Sequence, residues 1–113
     1  MENCIFCKIL KGEIPSHKVY EDDLVYAFRD INPAAPVHIL IVPKEHIASA
    51  NELTEKHETL VGHILITAKK IAEQEGFAEN GYRIVNNCGE SAGQTVFHLH
   101  FHVLAGDKFD RMV

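Results

Sequence analysis

No stretch of this 113-residue chain holds eighteen apolar residues in a row, so the sequence predicts no membrane-spanning helix. It also lacks the basic clusters that a nucleic-acid surface needs. Lys and Arg number 11 against 16 Asp and Glu, the formal net charge is −5, and Lys69-Lys70 is the only basic pair. Cysteine is scarce and odd in number, three in all, which argues against a disulfide framework and for a reducing, cytoplasmic setting. The first residues, Met1-Glu2-Asn3-Cys4, lack the basic start and apolar stretch of a signal peptide, so none is expected. Repeats, linkers and low-complexity segments are missing too, which leaves one domain over residues 1–113. A hydrophobic content of 46% suffices for one core, although so small a domain gains stability from pairing with a second copy.

Histidine, by contrast, is abundant: eight residues, three of them at alternate positions, His98, His100 and His102. In a strand this spacing puts the three imidazoles on one face and Phe97, Leu99, Phe101 and Val103 on the other. A lone buried histidine is usually a hydrogen-bonded core residue. Three in one row cannot all be, because each ring needs its own polar partner in apolar surroundings. The row is therefore either a metal site, as in three-histidine zinc centres, or a catalytic site built on a neutral imidazole nucleophile. Just ahead of it, Gly89, Ser91, Gly93, Gln94 and Thr95 offer hydroxyls, an amide and glycine-exposed N–H groups, a set that can hold anionic oxygens or form an ordinary solvated turn.

The rest of the chain reads as α+β, an antiparallel sheet of about five strands with one long and one short helix. Cys4 to Leu10 is a short helix ending before Gly12. Val19-Tyr20 and Leu24 to Phe28 form a hairpin around Glu21-Asp22-Asp23. Residues 30–36 make a proline-punctuated loop, and Val37 to Val42 a buried strand stopped by Pro43. Apolar residues at 60, 61, 64, 65, 68, 71 and 72 predict a long helix from about Glu55 to Glu75, with Thr54 as N-cap and Gly76 as stop. Tyr82 to Val85 and Val96 to Leu104 are the last two strands, with a polar loop over residues 86–93 between them. Cys4-x-x-Cys7 admits three readings: a redox pair, two buried core residues, or half of a zinc site. Cys88 is read as a bystander, and His17, His57 and His63 as surface or helix-face residues.

The segment Gln94-Thr95-Val96-Phe97-His98-Leu99-His100-Phe101-His102-Val103-Leu104 resembles the signature of the histidine triad (HIT) family, in its Hint-like nucleotide-binding branch. Supporting blocks run along nearly the whole chain, including Cys4 to Ile9, Ala27 to Ile31, His38 to His46 and Gly81-Tyr82-Arg83. The resemblance implies a homodimeric hydrolase that acts at the phosphorus of purine nucleoside monophosphate conjugates, phosphoramidates or adenylates. It implies His100 as the nucleophile that becomes a nucleotidyl-histidine, oriented by His38. His102, Asn87 and Thr95 would contact the phosphate, with Gly93 and Gln94 in the same loop. Asp30 would take the ribose hydroxyls. Ile5, Phe6, Ile9, Phe28 and Ile31 would wall the base pocket. Some bacterial members hold a structural zinc at positions matching Cys4, Cys7, His46 and His98, and none needs a metal for catalysis. A nucleotide-binding regulatory protein with incidental hydrolysis is the alternative. An AMP- or GMP-like ligand is implied either way, with neither nucleic acid nor membrane as partner.

Overall fold

Two apolar patterns of different period build the fold, and a computed structural model describes it over residues 3–112. Period-two alternation gives strands β1 (Lys18–Glu21), β2 (Val25–Arg29), β3 (Val37–Pro43), β4 (Arg83–Val85) and β5 (Phe101–Ala105). They form one antiparallel sheet in the order β1-β2-β3-β5-β4. Helical periodicity gives α1 (Ile5–Leu10) and α2 (Glu58–Glu75). Among the described residues no helix is long and apolar enough to cross a membrane.

The two faces of central strand β3 divide the molecule. Ile39 and Ile41 join Val25, Ala27, Val103 and Ala105 against Leu60, Ile64, Ala68 and Ile71 of α2, forming the main core. Leu40 and Val42 point the other way, onto Phe6 of α1 and Phe28. His38 alternates with the main-core residues and shares this second face, where the functional residues gather.

Several expectations need correction. The long helix begins at Glu58, after a 3₁₀ turn over Glu55–His57. His57 is buried there rather than at the surface, and its Nδ1 accepts the Thr54 N–H at 2.9 Å, so the ring closes the helix start. Gly76 ends the helix in the left-handed region at φ 85°. Leu65 lies outside the buried stripe and Thr67 inside it, because the buried set 60, 64, 67, 68, 71, 72 follows the 3.6 period. His63 is not free: its Nε2 meets Asp22 Oδ2 at 2.6 Å. Burial pushes the Asp22 carboxyl up. The Leu24 and Val25 amides, the Tyr20 hydroxyl and His63 outweigh this and hold it well below the usual carboxylate range.

The main correction concerns the histidine row. Only Phe101–Ala105 is strand; residues 96–100 run irregularly. The ladder with β3 ends at Ile41↔Phe101, and Pro43, further along, has no N–H to donate. On the β4 side the ladder ends at Val85↔His102, and the next donor to the row is a side chain, Asn86 Nδ2 to the His100 carbonyl at 2.9 Å. Among the described residues one backbone bond remains, from Leu99 N–H to the Ile47 carbonyl. The alternation of faces nonetheless persists through Leu99, fully buried in the main core, and the flanking rings of His98 and His100. Phe97 breaks it and stands 44% exposed.

Candidate functional site

Backbone carbonyls set the protonation pattern of the row. His98 Nε2 lies 2.9 Å from the Pro43 carbonyl, so Nε2 carries the proton and Nδ1 keeps its lone pair. His100 has the opposite arrangement. Its Nδ1 lies 2.8 Å from the His98 carbonyl and must donate, which leaves the lone pair on Nε2. A third ring is set by an amide: Ala34 N–H donates to His38 Nδ1 at 3.0 Å, so His38 Nε2 carries its proton. That Nε2–H donates to His102 Nδ1 at 2.9 Å, with Asp30 Oδ2 3.4 Å away. His102 therefore holds its own proton on Nε2. The expected hydrogen bond from His38 to His100 is replaced by this one, since His38 Nε2 is already engaged by His102.

Burial keeps these rings neutral. It pushes His100 and His38 below the ordinary histidine value, opposed at His100 by the bond to the His98 carbonyl and then by Asp30, and at His38 by Asp30. His102 is pushed down to about 4, by burial first and then by the neighbouring His100 and His38. The result is a lone pair on His100 beside an N–H on His102, with ring centres 5.1 Å apart. Both rings line a cavity of about 410 Å³.

The far end of that cavity is apolar. Phe6 and Phe28 meet edge to face at 5.6 Å, and Phe6 also stands perpendicular to His100 at 5.1 Å. Ile5, Ile9, Ile31 and Leu40 add to the apolar wall, with Ile31 83% exposed at the rim, and Ser16, Arg29 and Asn32 also border the cavity. Asp30 and Thr95 supply polar atoms along the side. Three residues expected at the nucleotide, Asn87, Gly93 and Gln94, do not border this cavity. Asn87 Nδ2 instead bonds the Ala92 carbonyl, bracing the 3₁₀ turn Glu90–Ala92. Gln94 is buried, its amide nitrogen bonded to the Ala48 and Val96 carbonyls and its oxygen to the Gly89 N–H, so it shapes the loop and its side chain has no free N–H to offer a phosphate. Asn86, which ties down the His100 carbonyl, escaped the sequence reading. Its one signal was its place opposite the row, at the end of β4.

A second constellation joins the row at His98. The ligand atoms of Cys4, Cys7, His46 and His98 all lie within 4.8 Å of one another. His98 Nδ1 is 3.4 Å from Cys4 Sγ, 3.6 Å from Cys7 Sγ and 3.2 Å from His46 Nδ1; Cys7 Sγ and His46 Nδ1 are 3.3 Å apart. A tetrahedral zinc with Zn–N near 2.05 Å and Zn–S near 2.3 Å needs edges of about 3.3 Å between nitrogens and about 3.6 Å between nitrogen and sulfur. The donor set and its spacing fit such an ion. Burial, and the Cys4 thiol beside it, push the Cys7 thiol up from its ordinary value, the state a divalent cation would reverse.

Comparison with known proteins agrees with this architecture. The family profile described as HIT domain matches residues 11–109. The purine nucleoside phosphoramidase of Escherichia coli K12 is 52% identical over 112 residues, covering 99% of this chain and 94% of that protein. A 14 kDa zinc-binding protein of Zea mays is 52% identical over 108 residues, covering 94% and 84%. A solved HIT family hydrolase from Clostridium thermocellum superposes with a TM-score of 0.96 at 54% identity, covering 100% of this chain and 99% of that one. With its triple-histidine segment, its five-stranded sheet and these likenesses, the chain belongs to the HIT family.

Proposed function

We propose that this chain is a purine nucleoside phosphoramidase, hydrolysing nucleoside 5′-monophosphate conjugates through a nucleotidyl-histidine on His100. The enzyme class is hydrolase, in line with its relatives. The observation that carries the finer reading is the pair of fixed tautomers, a lone pair on His100 Nε2 next to a proton on His102 Nε2. In the first step His100 Nε2 bonds to phosphorus as the P–N bond breaks, and the amine, protonated beforehand, leaves. In the second, water bonds to phosphorus and the P–Nε2 bond breaks. The surplus proton passes to solvent and the nucleoside monophosphate departs. His102 Nε2–H, with the Thr95 hydroxyl, donates to phosphate oxygens and favours the charge that builds there. Asp30 binds the ribose hydroxyls and the Phe6–Phe28 pocket takes the purine.

Cys4, Cys7, His46 and His98 hold zinc in a closed structural site that ties α1 to the segment bearing His100. The working unit is a homodimer in the cytoplasm. Exposed Leu65 and Ile66 on α2, together with edge strand β4, are surface that a second copy would cover.

Turnover of a fluorogenic adenosine phosphoramidate tests the reading. His100→Ala should lose on the order of a thousandfold or more in kcat and still bind AMP. A wild-type protein that binds AMP and never turns over the conjugate would overturn hydrolysis in favour of a nucleotide-binding role.

A further inference from the structure

The register of the sheet measures out the nucleotide cavity. Across the strands His102 lies opposite Leu40, Leu40 opposite Phe28, and Phe28 opposite Lys18 of β1. The backbones of His102 and Lys18 are thus three strand spacings apart, roughly 14 Å. Ser16, two residues before Lys18, borders the cavity on this far side together with Ile14 and Pro15. Its segment is pinned to the end of β2, where Arg29 N–H donates to the His17 carbonyl at 3.0 Å. The cavity therefore runs from the reacting rings to Ser16.

Ser16 differs from the other polar residues of the wall. Thr95, His100 and His102 belong to the reacting end, and Asp30 to the ribose. Arg29 turns its guanidinium to Glu75, 2.7 and 2.8 Å from the two carboxylate oxygens. Asn32 is exposed, and its N–H donates back to Asp30 Oδ1 at 2.8 Å. Ser16 is half-buried, and its Oγ meets the Tyr26 hydroxyl at 2.7 Å. Tyr26 is itself held in place. Its ring lies 5.7 Å from that of Phe28 and packs on the small core of Phe6, Phe28, Leu40 and Val42. A phenol outside the cavity thus fixes a hydroxyl on its wall.

Either oxygen of this pair can donate, and the choice changes what Ser16 offers a ligand. When Tyr26 donates, the Ser16 O–H is free to donate onward. When Ser16 donates, its oxygen can only accept. We propose that Ser16, held by Tyr26, is the base-reading group of the cavity and meets the substituent at C6 of a purine. It accepts from the amino group of adenine in one arrangement and donates to the oxygen of guanine in the other. Reversal of the pair lets one serine take both purines. This rests on the purine-nucleotide reading of the cavity.

Calorimetry with three 5′-monophosphates tests it: AMP, GMP and purine riboside monophosphate, which carries only hydrogen at C6. Ser16→Ala should weaken AMP and GMP binding about five- to tenfold each, and that of purine riboside monophosphate less than about twofold. Tyr26→Phe should weaken AMP and GMP about threefold, through a hydroxyl no longer held. Equal losses for all three ligands in Ser16→Ala would overturn base reading. A loss for AMP or GMP alone would overturn the reversal, and unchanged binding in Tyr26→Phe would overturn the pairing. Turnover of an adenosine phosphoramidate separates this from the hydrolase. Binding that depends on Ser16 and C6 without turnover would keep the base reader and overturn the hydrolase. Turnover with no such dependence would do the reverse, and absence of both binding and turnover would sink both.

Discussion

His98 and His100 sit two residues apart on one face, yet they are opposites. His98 gives its Nε2 proton to the Pro43 carbonyl and turns Nδ1 to two cysteines and a histidine. His100 gives its Nδ1 proton to the His98 carbonyl and turns Nε2 to the cavity that it lines with His102. The same side chain becomes a candidate metal ligand at one end and a candidate nucleophile at the other. The carbonyl within reach decides which, because a neutral imidazole has only one proton to place.

The strongest way to break this contrast is to remove the thiols. Cys4→Ser/Cys7→Ser should take zinc from about one per chain to none, by metal analysis of protein purified without chelator, with a fall in Tm of roughly 10 °C or more. Zinc retained by the double variant would place the ion elsewhere.

The phosphate end is sharpened by pH. His102 titrates near 4 when folded, against an ordinary 6.5. On acidification the unfolded chain binds the proton first, so this ring's contribution is complete above about pH 6.5 and is lost as pH falls toward 4. His102→Gln should flatten the stability profile over that window in urea melts, and parallel profiles would show that the ring is not held neutral.

Asn86→Ala probes the hinge between the two ends. Losing the bond to the His100 carbonyl should cost about 1–2 kcal/mol and reduce turnover more than AMP affinity. Equal loss of affinity would assign Asn86 to the pocket itself.

The smallest effect is a control distant from both. Thr67 is buried in α2, and among the described residues its hydroxyl has no hydrogen-bond partner. Thr67→Val should stabilise by about 1 kcal/mol in thermal melts and leave zinc content and turnover unchanged.

Much of the fold was legible because its signals are periodic. The strand β3 and the α2 stripe follow from hydrophobic spacing, and the end of α2 from Gly76. The HIT assignment was legible from one segment and its supporting blocks. What stayed hidden depends on partners distant in sequence. His63 looked unattached until the fold brought Asp22 to it, 41 residues away, and His57 became a cap only through the backbone of Thr54. The His38 bond went to His102 and not His100 because Ala34 fixes its tautomer, a local N–H contact with no signature in residue type. Residues 96–100 alternate like a strand without forming one, because alternation records which side is buried, not whether a neighbouring backbone is present to pair with.

The carbonyl that fixes His100 belongs to the main chain of residue 98, not to its ring. Position 98 can therefore exchange its imidazole for another side chain and still set the tautomer of its neighbour. The proposed metal site and the proposed nucleophile would thus share a residue but not an atom. On that reading, a substitution at position 4, 7, 46 or 98 would remove the ion, at a cost in stability, without changing which nitrogen of His100 carries the proton.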